Sequence, residues 1–204
     1  MRLTTLNKRH SMRLTALLLL ASAALLSASP AEAPVYEVTP VESTIKFNVK
    51  ASVAIAGNFE KWDASLTFTS PELSTAVMDI KIQAASVNTG SGMKDGKLKG
   101  KDFFDAKQNP LITFHSTKIE QTGPNMVVID GDFTIRGVTK KEQLTFALDP
   151  NRGTSGTVSG TMAFDRKQYG MNSGIPFIKI ADRVEVTVNL KLHRTSGSDP
   201  TLKQ

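Results

Sequence analysis

The stretch MVVIDGDFTIR, residues 126–136, decides how the chain is read. Val127, Ile129, Gly131, Phe133 and Ile135 share one side of an extended chain, and Asp130, Asp132, Thr134 and Arg136 share the other. Side chains of a strand alternate with period two, so this is a strand with one apolar and one polar face. At about 3.3 Å per residue the stretch spans about 35 Å, which is generous for a plain sandwich and suits a barrel stave. The GVTK at 137–140 reads as the corner leading to the next strand.

The same parity recurs on both sides. In TIKFNVKASVAIAG, residues 44–57, the apolar Ile45, Phe47, Val49, Ala51, Val53 and Ile55 alternate with Lys46, Asn48, Lys50 and Ser52, and Gly57 with Asn58 supplies turn chemistry. Trp62, Ala64, Leu66 and Phe68 oppose Asp63, Ser65 and Thr67, and Pro71 closes that run. Met78, Ile80, Ile82 and Ala84 oppose Asp79, Lys81 and Gln83, while Ile112 and Phe114 oppose Thr113 and His115. Beyond the corner come Leu144, Phe146 and Leu148, then Val158, Met162 and Phe164, then Val184, Val186, Val188, Leu190 and Leu192. Eight amphipathic strands joined mostly by short polar connections predict an antiparallel meander, because parallel strands are apolar on both faces and separated by helices. Closing the sheet removes its edges, so the expected fold is all-β, an extended eight-stranded antiparallel β-barrel.

Two segments break the pattern. SGMKDGKLKGKDFFDAKQN, residues 91–109, predicts a short helix or two, weakened by Gly96 and Gly100. RKQYGMNSGIPFIKIAD, residues 166–182, reads as a long irregular loop carrying Tyr169, Met171, Ile175, Phe177, Ile178 and Ile180. Long loops of that kind in compact domains tend to be lids or binding loops.

Arg2, Lys8, Arg9 and Arg13 precede the apolar run LTALLLLASAALL at 14–26. That run is well short of the roughly 20 apolar residues that span a bilayer, and the pattern is that of a cleaved signal peptide over residues 1–31, its boundary uncertain up to Ala33. The expected division is then the leader, a barrel over 32–195 and a polar tail over 196–204, with export to the periplasm. The mature part keeps 21 basic against 19 acidic side chains, a balance of +2, with the two signs interleaved. Such a surface gives no reason to expect nucleic acid. With no cysteine in the chain, disulfides, thiol catalysis and cysteine metal sites are excluded.

Catalytic chemistry is hard to place. Outside the leader the histidines are His115 and His193, both on polar faces, and no metal-spaced cluster, nucleophile elbow or phosphate loop occurs. Asp130 and Asp132 share a strand face, but it is the polar one, where charges serve solubility. The expectation is a binding protein and not an enzyme, with no catalytic residue and no metal.

Parity alone does not say whether the apolar face lines the interior or meets lipid, as it would in an outer-membrane barrel. One tryptophan and two tyrosines cannot form the aromatic girdles such a barrel needs, which favours the soluble form. Nor does parity separate a cavity from a filled core; the apolar 166–182 loop tips the balance towards a cavity.

Over nearly its full mature length the chain resembles the YceI-like family, periplasmic proteins that bind polyisoprenoids. The carriers are YEVTPVESTIKFNV (36–49), SVNTG (86–90) followed by KDGKLKGKDFFDAKQNPLITFHST (94–117), GDFTIRGVTK (131–140), FDRKQYGM (164–171) and DRVEVTVNLKL (182–192), in that order. The resemblance implies a lipocalin-like barrel whose apolar lumen holds a long isoprenoid chain, with the helical insertion and loops near its opening. Where the family often has an arginine–aspartate pair and a histidine before the double phenylalanine, this chain has Lys94, Asp95 and Lys97. Lysine keeps the charge without the bidentate fork.

On this reading the lumen is lined by Phe47, Phe68, Ile80, Ile82, Phe114, Phe133, Ile135, Phe146 and Phe164, with Phe103, Phe104 and Phe177 near the mouth. The partner is a long-chain isoprenoid lipid of polyprenyl or quinone type, carried or stored in the periplasm, with only transient membrane contact and no other cofactor. The chain is a monomer or homodimer. The alternatives are a small outer-membrane barrel and a ligand-free barrel acting as an interaction or stress-response module.

Overall fold

The structure, a computed structural model, describes residues 31–52, 55–149, 153–174 and 179–202. Its strands are β1 (Val35–Val38), β2 (Thr44–Ala51), β3 (Ile55–Phe59), β4 (Trp62–Thr67), β5 (Val77–Gln83), β6 (Val87–Asn88), β7 (Leu111–Gly123), β8 (Met126–Ile135), β9 (Val138–Leu148), β10 (Ser155–Asp165) and β11 (Ile180–Ser196), with one helix, α1 (Gly92–Lys99). All pairing between strands is antiparallel, in the order β4-β5-β7-β8-β9-β10-β11-β2-β3-β6, and β1 pairs with β11.

Eleven strands make eight staves. β4 stands at one end of the pairing order and β3 next to the other, where β6 is last, yet only Glu60 and Lys61 separate β3 from β4 in the chain. Glu60 N–H donates to Ser86 O and Gln83 N–H to Lys61 O, so β3–β4 and β5–β6 are two kinked staves joined along their length. The sheet thus curls until its two ends meet in one stave. β1 and β2 form another, broken by a 3-10 turn at Pro40–Glu42. The Ser43 hydroxyl secures that break, donating to Thr39 O at 2.7 Å and accepting Lys191 N–H at 2.9 Å.

The hairpin that grows from the opening stretch is tighter than its sequence suggests. Ile135 pairs with Val138, and the two residues between, Arg136 and Gly137, have φ of 54° and 73°. A two-residue connection with both φ positive matches the twist of the flanking strands. Val138, Thr139 and Lys140 therefore belong to β9, not to a corner, and Arg136 leaves the polar face for the turn, its guanidinium donating to Gly170 O.

Two other sequence expectations move for identifiable reasons. Gly57 and Asn58 do not end a strand; they lie within β3, paired with Phe47 and Lys46. A Cβ on Gly57 would stand 2.9 Å from the Phe47 ring, so this glycine makes room for a ring in the wall. β7 runs on to Gly123, far past Phe114, through a register shift between Ser116 and Lys118 that leaves Thr117 as the extra residue of a bulge. The bulge changes the phase, so Ile112, Phe114 and Ser116 are followed inward by Ile119. Ser116 Oγ accepts Met78 N–H at 2.8 Å beside that irregularity.

The apolar parity faces the interior, where Phe146, Leu144, Ile45 and Leu190 are wholly enclosed. The opposite parity is polar: Asp132 pairs with Lys141 at 2.8 Å, His115 with Asp79 at 2.7 Å, and His193 with the Ser155 hydroxyl at 2.7 Å, all exposed. That packing is the reverse of a lipid-facing barrel's, so the outer-membrane alternative does not hold.

Candidate functional site

Among the described residues, two interior cavities lie one above the other. Walking along each stave shows how they are divided. On β5, Ile82 lines the first, Met78 the second, and Ile80 between them lines neither. On β7 the series is Ile112, Phe114, Ile119; on β10 it is Phe164, Met162, Val158; on β11, Val186 and Leu192 lie either side of Val188 and Leu190. Leu144 of β9 is at the same middle level and is 1% exposed. Inward side chains of β5, β7, β9, β10 and β11 thus form a floor between the two cavities.

The cavity at the end capped by α1 is small, about 80 Å³, and its open surface is wholly apolar. Phe47, Ile82, Phe133, Ile135 and Phe164 line it, and Leu98, Phe103 and Phe104 of the insertion complete the lining. Phe103 and Phe104 are buried, with Phe104 packed on Phe59 and Phe59 on Phe47 at centroid distances of 5.8 and 5.7 Å. They pack over this end. Thr89 fastens the insertion: its hydroxyl and N–H donate to Asp95 at 2.7 and 2.8 Å and hold that carboxyl below its usual range. Lys97 likewise lowers Asp102, with Arg136 and Ser173 adding to the effect.

The cavity at the other end is about 350 Å³. Phe68 and Phe146 line it, with Leu66, Met78, Ile129 and Val158, and its rim carries Tyr36, Asp149, Thr157 and Asp199. The Phe146 ring lies flat over Gly160, where a Cβ would come within 2.5 Å of it. The C-terminal tail closes over this cavity: Thr201 bridges Glu72 and donates to Pro71 O at 2.8 Å, Asp199 pairs with Arg194 at 2.8 Å, and Pro200 and Leu202 join the lining.

Of the residues singled out as lumen, then, five line the smaller cavity and two the larger, while Ile80 and Phe114 lie in the floor between. Phe177 lies outside the described residues. The 166–182 segment departs from the expected loop. Residues 166–169 form a 3-10 turn, and Tyr169 and Met171 are core residues. The β9–β10 ladder has only four pairs, Val158–Thr161 with Leu148–Thr145, and beyond them Tyr169 enters the core. Its ring meets Phe133 at 5.5 Å and Phe164 at 5.2 Å, edge-on, and its hydroxyl donates to Glu142 Oε1 at 2.8 Å. Burial first, and then Glu142, push the phenol pKa well above its ordinary value.

Sequence reasoning gave Arg166 no role. It is 6% exposed and lines the smaller cavity, yet every guanidinium nitrogen is engaged: Nε with Ala181 O at 3.1 Å, one terminal nitrogen with Met171 O and Ser173 O, the other with Asp182 at 3.2 Å. Lys167, then Arg166, hold the Asp182 carboxyl below its usual range. Arg166 therefore fixes the start of β11 to the 3-10 turn.

Comparison with known proteins agrees with this architecture. The model of the YceI-like domain matches residues 36–192. The chain belongs to the YceI-like family. Among YceI-like relatives, a UPF0312 protein of Pseudomonas syringae pv. tomato is 29% identical over 133 residues, covering 63% of this chain and 69% of the relative. The crystal structure of Burkholderia cenocepacia BcnA superposes with a TM-score of 0.69 at 26% identity, covering 76% of this chain and 99% of BcnA. A polyisoprenoid binding domain from Saccharophagus degradans, implicated in plant cell wall breakdown, shares the fold with a TM-score of 0.62 at 15% identity, covering 79% and 99%. In this YceI-like chain the apolar interior is divided, with its larger space at the end away from the helical insertion.

Proposed function

We propose that this chain is an exported binding protein that holds the isoprenoid tail of an amphiphilic lipid inside its barrel, in the periplasm, and does not catalyse a reaction. The observation that carries the reading is the larger cavity: about 350 Å³, mainly apolar, with polar groups confined to the rim. A site of that size and pattern is what a small ligand with one greasy and one polar end requires. Membership of the YceI-like family and the polyisoprenoid-binding neighbour support the same reading, as does the leader-like first 31 residues for export. Each buried methylene contributes about 0.8 kcal/mol, so ten buried carbons supply about 8 kcal/mol, which is about micromolar affinity before the costs of association.

The test is native purification of the protein followed by solvent extraction and mass spectrometry, with calorimetric titration of the emptied protein by farnesol. An isoprenoid at near one per chain, and saturable heat, are expected. An extract without lipid together with a flat titration would sink the proposal.

A further inference from the structure

Resting on the reading above, we infer that the ligand occupies only the larger compartment, so that the floor through Phe114 and Leu144 limits the tail to between two and three five-carbon units. The floor is built from Ile80 of β5, Phe114 of β7, Leu144 of β9 and Met162 of β10, none of which lines either cavity; on β8, between β7 and β9, the level falls at Gly131, over which the Phe114 ring lies. The Phe114 ring occupies the space that a side chain at Gly131 of the neighbouring strand would take.

The volumes set the length. A cavity of about 150 Å³ binds benzene, six carbons. By the same ratio the 350 Å³ compartment takes on the order of fourteen carbons. The 80 Å³ space beyond the floor holds on the order of three, too few for another unit. The occupant is thus a short-tailed amphiphile, a prenol or prenylated ring of the geranyl-to-farnesyl class, with its head group at the rim beside Tyr36, Thr157 and Asp199.

The experiment titrates the full chain, stripped of lipid, with geraniol, farnesol and geranylgeraniol. Affinity should rise on the order of a thousandfold from geraniol to farnesol, as five more carbons leave water, and less than about threefold from farnesol to geranylgeraniol. A second gain as large as the first overturns the inference while leaving isoprenoid binding intact. If no prenol binds, the functional reading itself fails, and the inference with it.

Two filling variants test the compartment without opening the core. Val127→Phe, which projects into the larger space, should weaken farnesol at least tenfold, and Val184→Leu, in the smaller one, should leave it within about twofold. The opposite pattern overturns the assignment. Met162→Val thins the floor and should shift the preference towards geranylgeraniol; an unchanged preference in the folded variant counts against the floor as the gauge.

Discussion

Tyr169→Phe isolates one atom in the wedge between β9 and β10. The ring stays, with its contacts to Phe133 and Phe164, and the hydroxyl that donates to Glu142 Oε1 at 2.8 Å is lost. Tyr169 is 0% exposed, so no water replaces the missing donor from its side. A hydrogen bond to a charged acceptor contributes about 1.5–3 kcal/mol. In a domain of this size each 1 kcal/mol shifts Tm by about 2–4 °C, so a loss of about 2 kcal/mol lowers Tm by about 4–8 °C. Urea denaturation of the parent, Tyr169→Phe, Glu142→Ala and the double variant closes a cycle, and the coupling energy should be at least about 1 kcal/mol. If Tyr169→Phe lies within about 0.5 kcal/mol of the parent, or the coupling vanishes, the hydroxyl is not what holds the wedge and packing of the ring alone accounts for it.

Two further outcomes are expected. Gly160→Ala puts a Cβ against the Phe146 ring and should destabilise the protein by about 1–3 kcal/mol; adding Phe146→Leu should recover part of that in thermal unfolding. The raised Tyr169 pKa makes a prediction of opposite sense to a carboxylate's: the folded state keeps this phenol protonated while the unfolded chain releases the proton near pH 10. The stabilisation is complete below pH 10 and is lost as pH rises above it, so the stability gap between the parent and Tyr169→Phe should narrow in unfolding curves taken from pH 9 to pH 11.

The stave pattern was legible because burial on one face enforces period two, and Val127 to Ile135 or Val184 to Leu192 could be assigned from parity alone. Parity failed where the backbone broke phase. The bulge at Thr117 hid Ile119 and the second half of β7, and Gly57 looked like a turn because its lack of a side chain serves Phe47 across the sheet. Tyr169 and Arg166 were missed for another reason: they leave the 3-10 turn for the core, and no strand period governs them. Parity also says which side a residue faces, not at what height. The floor at Ile80, Phe114 and Leu144 exists only through the register of neighbouring strands, so a single continuous lumen was all the sequence could suggest.

The break between β1 and β2 leaves a mark on the wall. β1 lies alongside β4 near the larger cavity, yet no ladder joins them, and Tyr36 meets Phe68 across the gap at 5.9 Å. Widening a fully laddered wall breaks backbone hydrogen bonds, each contributing about 0.5–1.5 kcal/mol. Here the two strands part by separating rings. The wall beside the larger cavity can therefore widen along this seam without breaking a backbone ladder, like a sleeve left unstitched at the shoulder.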